Sequence, residues 1–422
     1  MYPSRLCISL LYKRIRIMKK LFLSLALACV SEAISGQIIS GTWNGELNAG
    51  VQKIPLVLNL TDDGKCTLDS PQQGAKRIPA NVDFLSADSL KVSVSSLNAS
   101  YAAHLENGEL KGLFTQNGFK LPLNLKPGEL AKANRPQTPQ PPYPYETEEV
   151  TFTNDKAGAT LAGTLTIPAD AKCVLLMVTG SGAQNRDEEV FEHKPFAVIA
   201  DRLARAGIAT LRYDDRATGK SIGGMDANAT TKDFAEDAVA GIEWLRTSKR
   251  FKKVGILGHS EGGSIAFMLG AQKKVDFIVS LAGPGVKGDT LLAAQNNRIL
   301  SLNGQPATVT VEKYRQTIAS LHNPWIQWFI DHDPSDDIHQ THCPVFALNG
   351  DRDCQVISSL NLPAIKRLLP ASEKNLIKEY PSLNHLFQHS TTGLPTEYGT
   401  IEETFSEEAI NDIIAWVKHL YL

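Results

Sequence analysis

The residue best placed to do chemistry is Ser260, at the centre of Gly258-His259-Ser260-Glu261-Gly262. It follows the apolar run Val254-Gly255-Ile256-Leu257 and precedes Gly263-Ser264-Ile265-Ala266-Phe267-Met268-Leu269. The segment therefore reads as a strand, a sharp turn and a helix, with a hydroxyl at the apex. A nucleophile exposed on so tight a turn adopts strained backbone angles, and its neighbours must be small because strand and helix pass close together. The next N–H, that of Glu261, opens a helix and points where an oxyanion would form.

A serine nucleophile needs a base and an orienting acid. On this kind of turn they follow it in the order serine, acid, histidine. The apolar strand Pro344-Val345-Phe346-Ala347-Leu348 leads into Asn349-Gly350-Asp351-Arg352-Asp353-Cys354-Gln355-Val356, which offers Asp351 and Asp353. Further on, Leu376-Ile377-Lys378-Glu379-Tyr380 leads to Leu383-Asn384-His385-Leu386-Phe387. His385 is the candidate base, because a neutral imidazole can take the serine proton near neutral pH. Each candidate falls just beyond a strand, where catalytic groups gather in open α/β sheets.

The elements that must position these residues alternate. Two leading strands are expected from Glu146 to Pro168, and Val174-Leu175-Leu176-Met177-Val178 reads as a buried strand. Lys232 to Arg246 places Phe234, Ala238, Ile242 and Leu245 on one helical face. The stretch from Gly285 to His342 is longer than one crossover helix requires. Within it, Asn323-Pro324-Trp325-Ile326-Gln327-Trp328-Phe329 forms either an aromatic lining or an ordinary amphipathic helix.

These residues resemble the α/β-hydrolase superfamily. The loop Thr179-Gly180-Ser181-Gly182-Ala183-Gln184-Asn185-Arg186-Asp187-Glu188 stands where that superfamily supplies its second oxyanion donor, which implies the N–H of Ser181 with Gly182 beside it. Tyr213-Asp214-Asp215-Arg216-Ala217-Thr218-Gly219-Lys220-Ser221 is similar to another of its segments, with Ala217 where a glycine is usual. More narrowly, the Gly-Ser-Gly loop, Gly-His-Ser-Glu-Gly-Gly, Asn-Pro-Trp, Cys-Pro-Val-x-Ala-Leu-Asn-Gly and Leu-Asn-His-Leu-Phe-Gln resemble bacterial EstD-type carboxylesterases from about Glu146 to the C-terminus. Those are exported serine esterases with an extra N-terminal domain. Their acid lies in Gly-x-x-Asp-x-x-Val, which on Gly350 to Val356 implies Asp353 rather than Asp351. The resemblance also implies a mostly parallel sheet flanked by helices, with a cap inserted at about 285–342. Gly182, Arg186, His259 and Trp325 are the residues expected near the substrate.

The rest of the chain agrees with a two-domain enzyme. It has 422 residues, 42% of them hydrophobic and 21% charged, enough for two domains and a large core. A net charge of −2 gives no basic field for nucleic acid. Lys13, Arg14, Arg16, Lys19 and Lys20 precede the apolar stretch Leu21 to Val30, which reads as a signal peptide over residues 1–36 with Met18 as a natural start. Export to the periplasm or outside is therefore expected. Cys29 offers a lipid anchor, although Ala26-Leu27-Ala28 is a poor context for one. No later segment is apolar for long enough to span a bilayer.

Residues 37–128 alternate apolar and polar, as in Ile54-Pro55-Leu56-Val57-Leu58-Asn59-Leu60, with turn pairs Asp63-Gly64, Asn107-Gly108 and Asn117-Gly118. This reads as a small antiparallel β domain, of which a partly closed barrel is one form. Trp43 suits either its core or a glycan surface. Pro136, Pro139, Pro141, Pro142 and Pro144 mark 129–145 as a stiff linker to a catalytic domain over 146–422. Cys66, Cys173, Cys343 and Cys354 lack metal spacing, and a Cys343–Cys354 disulfide stays open. The acidic and histidine cluster from Asp331 to His342 lacks a ligand pattern and is broken by Pro334, so no metal and no cofactor are expected.

The expected reaction is cleavage of a carboxylic ester, a small-molecule ester or an acylated glycan, through an acyl intermediate on Ser260. Peptide cleavage by the same three residues, with Glu261 or Arg186 holding a chain terminus, is the first rival. A non-catalytic binding protein on the same scaffold is the second, disfavoured because every catalytic position is filled.

Overall fold

The computed structural model describes residues 39–49, 52–71, 75–130, 132–224 and 226–421. The expected signal peptide over 1–36, with Cys29, lies outside the described residues. The chain divides into two compact units, 1–131 and 132–422.

The first unit is a closed barrel of antiparallel strands. They are β1 (Gly41–Ala49), β2 (Gln52–Leu60), β3 (Cys66–Ser70), β4 (Ala75–Leu85), β5 (Ser89–Val94), β6 (Ala99–Glu106), β7 (Glu109–Gln116) and β8 (Phe119–Pro127). Asn107-Gly108 and Asn117-Gly118 form two-residue turns in which both residues have positive φ, the geometry that matches strand twist. Alternate residues such as Leu56, Leu58 and Leu60 face a common core. Closure is complete rather than partial, because Trp43 and Asn44 of β1 pair with Pro127 and Lys126 of β8. Trp43 is a core residue, and its Nε1 donates to the Ser40 carbonyl at 3.1 Å.

The second unit carries a nine-stranded sheet ordered β13-β10-β12-β11-β14-β15-β16-β17, with β9 paired to β10. Its strands are β9 (Glu146–Asn154), β10 (Ala159–Ile167), β11 (Cys173–Val178), β12 (Ala209–Tyr213), β13 (Ile222–Gly223), β14 (Lys253–His259), β15 (Ile278–Leu281), β16 (Val345–Gly350) and β17 (Leu376–Tyr380). From β12 to β17 along the sheet the strands are parallel. Every residue of β11 and of β16 is buried, because helices cover both faces and leave no polar side. Val174, Leu176 and Val178 enter one core while Cys173, Leu175 and Met177 enter the other. The chain leaves β11 toward β12, then returns past β11 to β14 and continues the opposite way. That reversal opens a crevice between the carboxyl ends of β11 and β14.

The helices are α1 (Pro195–Arg205), α2 (Thr231–Thr247), α3 (Glu261–Ala271), α4 (Gly288–Leu302), α5 (Val311–Ala319), α6 (Pro324–Asp331), α7 (Ser335–His339), α8 (Ser358–Leu368), α9 (Pro395–Tyr398) and α10 (Glu407–Tyr421). The expected insertion between β15 and β16 is helical, made of α4 to α7. Asn323 caps α6, its Oδ1 accepting the N–H of Ile326, and Pro324 needs no donor at that position.

The proline-rich stretch read as a linker belongs, from Lys132 on, to the second unit. Arg135 donates to the carbonyls of Phe191, Gly399 and Ile401 at 2.9, 2.8 and 3.0 Å, and Gln137 donates to that of Phe405 at 2.8 Å. Two long polar side chains thus satisfy carbonyls that would otherwise be stranded, and they fix the segment to the sheet domain. Among the described residues Cys66, Cys173, Cys343 and Cys354 are unpaired, so the disulfide left open between Cys343 and Cys354 is not formed. Burial pushes the thiol of Cys173 up to about 11 and that of Cys354 up to about 12. Among the described residues no helix is long and apolar enough to cross a membrane.

Candidate active site

Ser260 stands between the end of β14 and the start of α3 with φ 53° and ψ −117°. The turn is possible because the glycines two residues to either side, Gly258 and Gly262, lack side chains. A Cβ on Gly258 would lie 1.9 Å from the Gly262 carbonyl oxygen, and one on Gly262 would lie 2.2 Å from that of Val178. Ser260 N–H donates to the Leu281 carbonyl at 2.9 Å and its own carbonyl accepts from Gly263 at 2.9 Å, which holds the strained angles in place.

His385 reaches the same end of the sheet from the loop after β17. Its Nδ1 lies 2.8 Å from Oδ2 of Asp353, in the loop after β16. Both residues are buried. Asp353 Oδ1 accepts the N–H groups of Gln355 and Val356 at 2.8 and 2.9 Å, so its carboxylate cannot rotate away. Asp351 is exposed and accepts the N–H of Ser382 instead. Asn384 braces the histidine loop, its Oδ1 accepting from Leu386 and Gln388 at 3.0 Å each.

The loop after β11 arrives beside the serine, where a Cβ on Gly180 would approach Ser260 Cβ to 3.2 Å. Gly180 N–H is occupied by Glu188 Oε1 at 2.7 Å, so Ser181 is the next amide along. Asp215 supports the loop from below, accepting from Gln184 N–H at 2.8 Å and Thr179 Oγ1 at 3.1 Å. Burial raises the Asp215 carboxyl to about 7. Ala217 takes the left-handed φ of 54° that a glycine would take, so the usual turn is kept.

The residues expected near the substrate are distributed differently. Gly182 is exposed on the loop with φ 92°. Arg186 faces neither of the adjacent acids. It binds Asp214 through Nη2 at 2.8 Å and Glu149 and Thr164 through Nη1 at 3.0 and 2.7 Å. Burial works to raise the Asp214 carboxyl, but Arg186 and the backbone N–H of Lys220 hold it below its usual range. Arg186 helps line a cleft of about 560 Å³ with Tyr143, Tyr145 and Lys220 that does not include Ser260. Glu261 is buried rather than solvated, and its two oxygens receive Trp325 Nε1 at 2.9 and 3.2 Å. Trp325 stacks on Phe329 at 5.5 Å, a packed aromatic face of α6. His259 is buried beneath the site, bonded to Glu188 and to the main chain of His385.

A family described as "Serine aminopeptidase, S33" matches residues 192–385, a span that contains Ser260, Asp353 and His385. Esterase EstD of Thermotoga maritima is 26% identical over 298 residues, 65% of this chain and 68% of the esterase. The chain is thus similar to a serine hydrolase family over 192–385 and to an esterase over 298 residues. Among solved structures, a Pyrococcus furiosus esterase is 19% identical with a TM-score of 0.46, covering 69% of this chain and 99% of that one. A dienelactone hydrolase from Anabaena variabilis is 18% identical with a TM-score of 0.42, over 66% and 100% of the two chains.

Sequence reasoning missed three groups at this site. Glu188 lies in the acidic run Asp187-Glu188-Glu189, and nothing local separates the buried carboxylate from its neighbours. Asp215 was visible only as part of a motif. The joining of Glu261 to Trp325 spans 64 residues and two elements, beyond any local signal.

Proposed function

We propose that the protein hydrolyses carboxylic esters through an acyl-enzyme on Ser260. The observation that carries the reading is the 2.8 Å contact of Asp353 with His385 Nδ1 at the same sheet end as a serine in a strained strand–helix turn. With Nδ1–H committed to Asp353, the neutral tautomer leaves Nε2 as the acceptor for a proton. His385 takes the proton of Ser260 Oγ as that oxygen bonds to the ester carbonyl carbon. Charge then gathers on the carbonyl oxygen. The N–H groups of Glu261 and Ser181 receive it, each worth about 3 kcal/mol in such sites. Collapse breaks the bond to the alcohol oxygen, which leaves with the proton from His385. Water repeats the two steps and frees the acid.

Short-chain acyl esters are the proposed substrates. The T. maritima relative bears the name esterase. The two groups suited to holding a peptide terminus are already engaged, Arg186 by Asp214 and Glu149 and Glu261 by Trp325. The basic and apolar N-terminal run supports export as the setting of this activity.

The match to a family described as a serine aminopeptidase favours a second reading, amide cleavage by the same three residues. The ratio of kcat/KM on 4-nitrophenyl acetate to that on acetyl- and aminoacyl-4-nitroanilides, with Ser260→Ala as blank, separates the two. An ester preference of at least a hundredfold is expected, and preference for an aminoacyl anilide would replace the esterase reading with the peptidase one.

A further inference from the structure

Glu188 and His259 take no part in those steps, yet they fill the ground between the oxyanion loop and the base. His259 is the last residue of β14, next to the nucleophile, and both side chains are buried. Its Nδ1 lies 2.9 Å from Glu188 Oε1, and its Nε2 lies 2.9 Å from the main-chain carbonyl oxygen of His385. The same Glu188 oxygen accepts the N–H of Gly180 at 2.7 Å. The His259 and His385 rings stand 4.8 Å apart between centroids.

Counting protons defines the state of this pair. A carbonyl oxygen only accepts, so Nε2 of His259 carries hydrogen. A neutral imidazole has one N–H, which would leave a bare Nδ1 lone pair against a carboxylate oxygen. A second proton must therefore sit between His259 and Glu188. The same Glu188 oxygen already accepts the N–H of Gly180, so the proton belongs to the ring. The other titratable groups acting on this ring are His385, in contact with it, and the Asp353 carboxylate. Burial works against the second proton, and the attraction of Glu188 outweighs it, so His259 binds its proton more tightly than a free imidazole.

We propose that Glu188 and His259 are positioning residues, a buried carboxylate–imidazolium pair that ties the oxyanion loop at Gly180 to the main chain of the base His385. The proposal rests on the acyl-transfer reading of Ser260 and assigns the pair no proton-transfer step. Gly180 precedes Ser181, so the carboxylate sets the direction of the peptide that leads into the second oxyanion donor. His259 fixes the carbonyl of the residue whose ring Asp353 fixes at the other end. Glu188 itself holds a φ of 52°, a conformation side chains rarely adopt, and its bonds to Gly180 and His259 offset that strain.

Two measurements on the full chain test this. In ring ¹⁵N spectra of wild type at pH 8, His259 is expected to carry protons on both nitrogens, and in Glu188→Gln on one. In 4-nitrophenyl acetate hydrolysis, Glu188→Gln and His259→Gln are each expected to lose at least tenfold in kcat with KM within threefold of wild type. A single protonated nitrogen in wild type at pH 8, or a kcat loss below tenfold in either folded variant, overturns the proposal. If the substitutions unfold the chain, the wild-type spectrum decides alone. Ser260→Ala run alongside keeps the two ideas apart, since wild-type turnover in that variant removes the nucleophile reading and leaves the pair to be judged by its spectrum.

Discussion

Asp353 Oδ2 lies 2.8 Å from Nδ1 of His385, while Asp351, two residues earlier, gives its carboxylate to the N–H of Ser382. One aspartate is buried behind the histidine and the other faces solvent. Replacing each by asparagine changes charge with little change of shape. Asp353→Asn is expected to lower kcat about 10⁴-fold, because the amide stabilises the wrong imidazole tautomer. Asp351→Asn is expected to stay within about threefold. Steady-state ester hydrolysis ranks them, and the reverse ranking would move the acid to Asp351.

Ala217 occupies a left-handed turn position with φ 54°, next to Arg216, whose guanidinium is bound by Asp237 at 2.7 Å. An L side chain pays about 1 kcal/mol to adopt that conformation and glycine does not. Ala217→Gly should therefore raise stability by about 1 kcal/mol in urea unfolding, with kcat unchanged. A destabilised variant would show that the alanine methyl is needed for packing.

His193 is fully buried, with Nδ1 against Thr404 Oγ1 at 2.9 Å and Nε2 against the Tyr398 carbonyl at 3.0 Å. Burial pulls its pKa down to about 4. Between that value and the unfolded value of about 6.5 the unfolded chain binds the extra proton and the folded one does not. Stability from this residue is thus complete above about 6.5 and falls as the pH drops toward 4. The loss should reach about 2–3 kcal/mol by pH 4.5. His193→Asn should flatten that part of the stability curve in urea unfolding between pH 7 and 4.5, and an unchanged slope would show that His193 is not responsible.

What the sequence disclosed follows from distance along the chain. The Ser260 turn was legible because an apolar strand, the small residues and an apolar helix lie within sixteen residues of one another. Asp353 and His385 were legible because each closely follows a strand, the first of them wholly apolar up to Leu348, in the order acid then histidine. The choice between Asp351 and Asp353 came from a family spacing, since two exposed-looking aspartates in one loop differ only once the loop is folded. Arg186 is expected from the sequence near the substrate, with Asp187 and Glu188 as its nearest acids along the chain. It pairs instead with Glu149 and Asp214, brought beside it by β9 and by the end of β12. Barrel closure likewise depends on Trp43 and Asn44 meeting Pro127 and Lys126, which no local pattern encodes.

The central claim is a covalent bond between substrate and Ser260, and trapping that bond tests it most directly. Wild-type protein mixed with a 4-nitrophenyl ester, quenched in acid within one turnover and digested should yield the peptide bearing Ser260 increased in mass by the acyl group. Ser260→Ala should give no adduct and lose turnover by several orders of magnitude. An adduct on another residue, or turnover preserved in folded Ser260→Ala, would contradict the account.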